Sequence, residues 1–140
     1  MLLNLVHRNK KANDIHAGKW NGLGGKFEPE ESPEECVIRE VYEESGLSIR
    51  NPKLCSLLMF PKFKGNDWYV FVFTAHEFSG ELIDSPEGRL EWIPEENVLD
   101  LHLWESDPIF MPWIQKGQFF SAKFESDGDT MRGYLVVFHS

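Results

Sequence analysis

Disulfides cannot frame this chain, because two cysteines, Cys36 and Cys55, among 140 residues close one loop at most and build no scaffold. Both are expected as reduced thiols, core or near-core residues of a cytoplasmic protein. Cations are scarce as well. Fourteen Lys and Arg stand against 23 Asp and Glu, a net charge of -9, so the basic face that duplex nucleic acid requires is missing. No apolar run approaches the ~20 residues of a membrane-spanning helix. Met1 to Val6 is apolar but too short for the hydrophobic region of a signal peptide before His7, Arg8 and Lys10 follow. Internal repeats and linkers are absent too. What is present suits one globular domain over residues 1–140: 41% hydrophobic and 14% aromatic content can fill a core.

Periodicity and punctuation predict a mixed α/β order. Leu2 to His7 reads as a strand, and Asn9 to Gly18 as a polar loop turning at Asn13-Asp14. Leu54 to Phe60 and Trp68 to Phe78 are strand-like, with a turn around Lys64-Gly65-Asn66-Asp67. The nearly continuous apolar run Trp68 to Phe73 is expected in a strand covered on both faces. Leu90 to Ile93 predicts another strand and Pro94 to Val98 a helical turn. Asp107 to Lys116 predicts a second helix with Ile109, Phe110, Trp113 and Ile114 on its apolar side. Phe119 to Phe124 and Gly133 to Phe138 form a hairpin turning at Ser126-Asp127-Gly128-Asp129.

One segment carries most of the chemistry. Gly25, Glu31, Arg39, Glu40, Glu43, Glu44 and Gly46 follow the spacing G-x5-E-x7-R-E-Val-x-E-E-x-G-Leu. Ser32 is a good N-cap, Pro33 suits the first helical position, Glu35 completes a capping box and Gly46 stops the helix. The predicted helix therefore runs from Pro33 to Ser45. At about 100° per residue, Val37, Ile38, Val41, Tyr42 and Ser45 share one arc, which must face a core. Glu40, Glu43 and Glu44 share the opposite arc. Like charges at i,i+4, as in Glu40 and Glu44, oppose helix formation. A hard divalent cation removes that repulsion, since Mg2+ takes oxygen ligands from a few carboxylates together with substrate phosphates.

The stretch GGKFEPEESPEECVIREVYEESGL, Gly24 to Leu47, resembles the Nudix box, here 25–47, with every defining position filled. The resemblance implies a Nudix-type α/β/α sandwich with a mixed β-sheet and a loop-helix-loop. It implies a hydrolase that uses Mg2+ or Mn2+ on nucleoside diphosphates linked to another group. It further implies Glu40 as general base, Arg39 holding a carboxylate in place, Glu43 and Glu44 binding metal, and the Gly24 carbonyl as a further ligand. Which glutamate acts as base differs between Nudix subfamilies. Glu31, at the helix entrance, pairs with Arg39. In similar enzymes an acid shortly before a Trp-hydrophobic pair, here Trp92-Ile93, completes the metal site. Glu87 fits that position, with Asp84 and Glu91 as lesser candidates. Such domains usually begin with a strand before the segment matching Leu2 to Arg8, so a first strand is expected to be missing. The five histidines show no ligand spacing.

Residues outside the box bear on the substrate. Gly18 to Gly25, GKWNGLGG, resembles the stretch before the box in MutT-type 8-oxo-dGTP hydrolases, which implies that Asn21 contacts the purine. An amide offers both donor and acceptor to a purine edge. Trp104-Glu105-Ser106-Asp107 resembles a segment of oxidised-purine triphosphatases, which implies that Trp104 stacks on the base and Asp107 reads its edge. A small-molecule nucleotide is then the partner of a monomer or homodimer. Two alternatives stay open: another Nudix substrate, such as a nucleotide sugar, dinucleoside polyphosphate or capped RNA, and a non-enzymatic nucleotide sensor. Pro61 lies downstream of the box, as a proline does in ADP-ribose hydrolases, but at a shorter offset, and the Pro61-Lys62 turn has a local explanation.

Overall fold

A capping box opens α1 (Pro33–Ser45) and a left-handed glycine closes it. Glu35 N–H donates to Ser32 Oγ at 3.1 Å and Ser32 N–H to Glu35 Oε1 at 3.1 Å, so two otherwise orphaned donors are satisfied reciprocally. Gly46 ends the helix at φ 82°, with its N–H on the Tyr42 carbonyl. The computed structural model describes residues 3–9, 20–63, 65–83, 88–94, 96–97, 105–127 and 130–139. The chain divides into two compact units.

The first unit, Met1–Pro52 with Ala75–Leu103, contains α1. In it β1 (Leu3–Asn9) lies between β2 (Trp20–Gly22) and β7 (Gly88–Pro94) and runs antiparallel to both. A two-stranded ribbon joins β3 (Ser48–Arg50) to β6 (Glu77–Ser79). Phe78 and Trp92 stack with centroids 5.3 Å apart. Immediately after α1 two backbone segments cross in direct contact. A Cβ on Gly46 would sit 2.6 Å from the Glu81 carbonyl, and one on Gly80, at φ 105°, 2.7 Å from the Gly46 carbonyl. Only glycine fits either position. Ile83 N–H donates to the Ser45 carbonyl at 2.9 Å across this crossing.

The buried stripe of α1 differs from the expected arc. Cys36, Val41 and Ser45 are buried, whereas Ile38 is 37% and Tyr42 59% exposed. The stripe is rotated toward the side of Cys36, and the thiol takes a small core position there. The Arg39 guanidinium reaches back to the loop before the helix (below).

The second unit, Lys53–Thr74 with Trp104–Ser140, is a four-stranded sheet and one helix. Its order is β5 (Asn66–Thr74), β4 (Lys53–Phe63), β8 (Phe119–Asp127), β9 (Thr130–His139). β4 pairs parallel to β8 and the other pairs are antiparallel, so the sheet is mixed as expected. α2 (Asp107–Gln115) follows the predicted range closely. The core consists of Leu58, Phe110, Phe120, Ala122 and Phe124, with Val70, Val72, Trp113 and Met131 packed against it. Phe120 and Phe124 are 0% and 1% exposed, and each such burial stabilises by about 1.5–3 kcal/mol.

Two expectations for this region change. The run from Trp68 to Phe78 is two strands rather than one: β5 stops at Thr74, and Glu77–Ser79 pairs with β3 in the other unit. Nor is β5 covered on both faces. It borders the four-stranded sheet, and Tyr69 is 62% exposed. The Pro61-Lys62 pair falls at an irregularity of the β4–β5 ladder, with Lys62 at φ 55° and its N–H on Asp67 Oδ1 at 3.0 Å. Glu96 and Asn97 form a helical turn within the predicted 94–98 segment.

Candidate active site

The loop before α1 is shaped by a turn that the sequence spells out. Pro29 holds the second position and Glu30 takes φ 66°, while Glu31 N–H donates to the Glu28 carbonyl at 3.2 Å. Proline followed by a left-handed residue is the pattern of a type II turn. Glu28 N–H in turn donates to Glu31 Oε1 at 3.0 Å. The turn aims the Glu31 carboxylate back toward Arg39, eight residues on.

Arg39 organises everything within its reach. Its Nε donates to Glu31 Oε2 at 2.6 Å and its Nη2 to Glu31 Oε1 at 2.9 Å, the two-pronged geometry that suits a planar guanidinium. Nη1 donates to Glu40 Oε1 at 2.6 Å and to Glu43 Oε2 at 3.1 Å, and Nη2 to the Lys26 carbonyl at 3.0 Å. Glu28 Oε1 lies 3.7 Å from Nη1. The Arg39 hydrogen bonds, helped by the Glu28 N–H, hold the Glu31 carboxyl down to about 2, against an ordinary 4.5. The same bonds, from Glu31 first and Glu40 second, push the Arg39 guanidinium further up. Burial, with the Glu31 charge next, raises the Cys36 thiol, in keeping with its buried place.

The expected acidic arc is present, but its members live in different surroundings. The Glu40 side chain is 15% exposed and the Glu43 side chain 55%. Glu40 is pressed against the glycine loop so closely that a Cβ on Gly25 would overlap its carboxylate. Glu44 Oε2 accepts the Gly24 N–H at 3.2 Å. Gly25 must therefore be bare backbone beneath the Glu40 carboxylate, whereas a Cβ on Gly24 would meet open space and Gly24 contributes its N–H to Glu44.

Among the described residues, no three His, Cys, Asp or Glu side chains converge closely enough to hold a metal ion. The reason is visible in the bonds above. Arg39 draws Glu40 and Glu43 to itself while Glu44 is engaged by the Gly24 N–H. In kind, the donors fit a hard divalent cation: they are all oxygens, carried on one face of one helix beside a glycine backbone.

The remaining expected site residues are distributed as follows. Asn21 is the middle residue of β2, opposite His7 of β1. Asp107 opens α2 in the second unit and is partly buried. Glu91 lies in β7 opposite Val6. Glu87, Asp84 and Trp104 lie outside the described residues. Two participants were not anticipated from sequence, the Lys26 carbonyl and Glu28. The Glu28-Pro29-Glu30-Glu31 turn signal was the available clue to them.

A family model described as the NUDIX domain matches residues 3–114. The oxidized purine nucleoside triphosphate hydrolase of Mus musculus is 32% identical over 129 residues, which is 90% of this chain and 82% of that protein. An uncharacterized Nudix hydrolase of Bacillus subtilis is 34% identical over 106 residues, 72% of this chain and 67% of its own length. Among solved structures, a mutator MutT protein from Bacillus halodurans superposes with a TM-score of 0.83 at 31% identity, covering 96% of this chain and 89% of that one.

Proposed function

Since the chain belongs to the Nudix family and is a Nudix hydrolase, we propose that it cleaves nucleoside triphosphates to nucleoside monophosphate and pyrophosphate, with 8-oxo-dGTP as leading substrate. The observation that carries the reading is the gathering of Glu31, Glu40 and Glu43 on one guanidinium, with Glu44 seated on the glycine loop. Likeness to a mouse protein named for oxidised purine triphosphates supports the choice of substrate. An intact set of base and ligand residues supports catalysis over sensing.

The proposed divalent ion is Mg2+ or Mn2+, held by Glu43, Glu44, Glu40 and the Gly24 carbonyl, with Glu87 as a further ligand. When bound, it polarises phosphoryl oxygens and acidifies a water. The chain's own residues do the positioning. Glu31 anchors Arg39, Arg39 aims the Glu40 carboxylate, and Glu40 orients and deprotonates the attacking water. Phosphoryl transfer rewards such placement, because its transition state needs alignment and charge stabilisation more than new covalent chemistry. Asn21, Trp104 and Asp107 take the purine in this reading.

Steady-state kinetics on dGTP and 8-oxo-dGTP, with separate detection of phosphate and pyrophosphate, test the proposal. Pyrophosphate is the expected product, and chelation by EDTA should abolish turnover. Asn21→Ala and Asp107→Ala should raise KM more than they lower kcat, by roughly 1–3 kcal/mol of lost binding. Free phosphate as the product, or unchanged discrimination in both variants, would sink the oxidised-purine reading.

A further inference from the structure

One carboxylate ties the entrance of α2 to the far end of the β8–β9 hairpin. Glu105 Oε2 accepts the Met131 N–H at 2.8 Å, across 26 residues of sequence. The β8–β9 ladder is regular from Phe119↔His139 to Glu125↔Gly133, then slips so that Ser126 faces Met131 and Arg132 is the extra residue. A bulge of this kind bends the strand and redirects its backbone groups, and bulges recur beside active sites. Here Glu105 takes up the amide next to the bulge, and an ionised acceptor bonds it more strongly than a neutral carbonyl does.

From Glu105 to Asp107 the chain has little freedom. Ser106 is 8% exposed, and its carbonyl accepts the N–H groups of Ile109 and Phe110 at 3.0 and 3.2 Å. Pro108 fixes the backbone directly after Asp107. Phe110 is buried against Phe124, with ring centroids 6.0 Å apart. Glu105 adds a long-range tether two residues before Asp107, beside these local restraints.

We propose that Glu105 is a positioning residue for substrate selection: by holding the Met131 amide beside the bulge it sets the place of Asp107 at the first turn of α2. The inference rests on the base-reading role given to Asp107 above. It adds a residue whose effect on specificity runs through another side chain.

Kinetics on dGTP and 8-oxo-dGTP with Glu105→Ala, Glu105→Asp, Glu105→Gln, Asp107→Asn and the double variant Glu105→Ala/Asp107→Asn test it. Glu105→Ala, and Glu105→Asp with its shorter reach, should each raise KM roughly tenfold with kcat within about twofold. Glu105→Gln keeps an acceptor oxygen and should return KM to within about twofold of the parent. The double variant should be no worse than Asp107→Asn alone, because both changes act through one carboxylate. Exchange of the Met131 amide with solvent should quicken in Glu105→Ala at an unchanged thermal midpoint. Additive losses, or an unchanged KM in Glu105→Ala while Asp107→Asn is impaired, would overturn the positioning role and leave the Asp107 reading intact. Parental KM on both nucleotides in Asp107→Asn would instead remove the base-reading role, and the Glu105 proposal with it.

Discussion

In the unit built on the four-stranded sheet, Phe120 and Phe124 are closed off among other rings, with Phe124 5.8 Å from Phe60 and Phe120 5.2 Å from Trp113. Around Arg39, in the other unit, position is set by one guanidinium shared among Glu31, Glu40 and Glu43. An aromatic core spreads its holding energy over many weak, direction-tolerant contacts. The charged cluster concentrates it in a few directional bonds centred on a single side chain. The first arrangement resists small changes of chemistry as long as volume is kept. The second answers at once to a changed charge, a competing cation or a lost acceptor.

The sharpest way to break this comparison is to remove charge on one side and volume on the other. Glu44→Gln keeps the side chain's shape and should cost on the order of 10²–10⁴ in turnover while leaving the thermal midpoint unchanged. If Glu44→Gln, Glu43→Gln and Glu40→Gln all kept near-parental rates with Mg2+, the helix would not be catalytic. Phe124→Ala should do the reverse, lowering stability by about 3–5 kcal/mol in a denaturant titration. A cost below about 1 kcal/mol would mean that the core is looser than its burial indicates.

Gly25→Ala separates placement from stability within the charged cluster. The new methyl would overlap the Glu40 carboxylate, and a flexible side-chain end can yield at little energetic cost. Displacing that carboxylate by about an ångström should nevertheless cost on the order of 10² in kcat. Parental kcat in a folded Gly25→Ala protein would show that the contact between Glu40 and the loop does not matter.

The smallest expected effect is a titration. The Glu31 pKa lies at about 2 in the folded protein against an ordinary 4.5. Because the folded value is the lower one, the unfolded chain binds the proton first, and the Glu31–Arg39 pair stabilises fully above about 4.5. That contribution fades as pH falls toward about 2. Carboxyl-carbon NMR should find the Glu31 midpoint well below the ordinary 4.5. A midpoint at 4.5 would show that Arg39 does not hold it in solution.

What the sequence determined by itself was local. Ser32, Pro33, Glu35 and Gly46 set the limits of α1 at Pro33–Ser45, because caps act through bonds that span three or four residues. The strands of the β8–β9 hairpin were legible from their apolar residues and turn signal, and the Glu31–Arg39 pairing from the place of Glu31 at the helix entrance. The three-residue strands Trp20–Gly22 and Ser48–Arg50 were not, since they are too short to show a period. Nor was the break at Ala75, because an apolar run looks the same whether it feeds one sheet or two. Only the tertiary structure decided that Tyr42 faces outward, that Glu40 lies under Gly25, and that Glu105 holds Met131. Each depends on segments brought together from different parts of the fold, and their separation in sequence carries no signal of the register at which they meet.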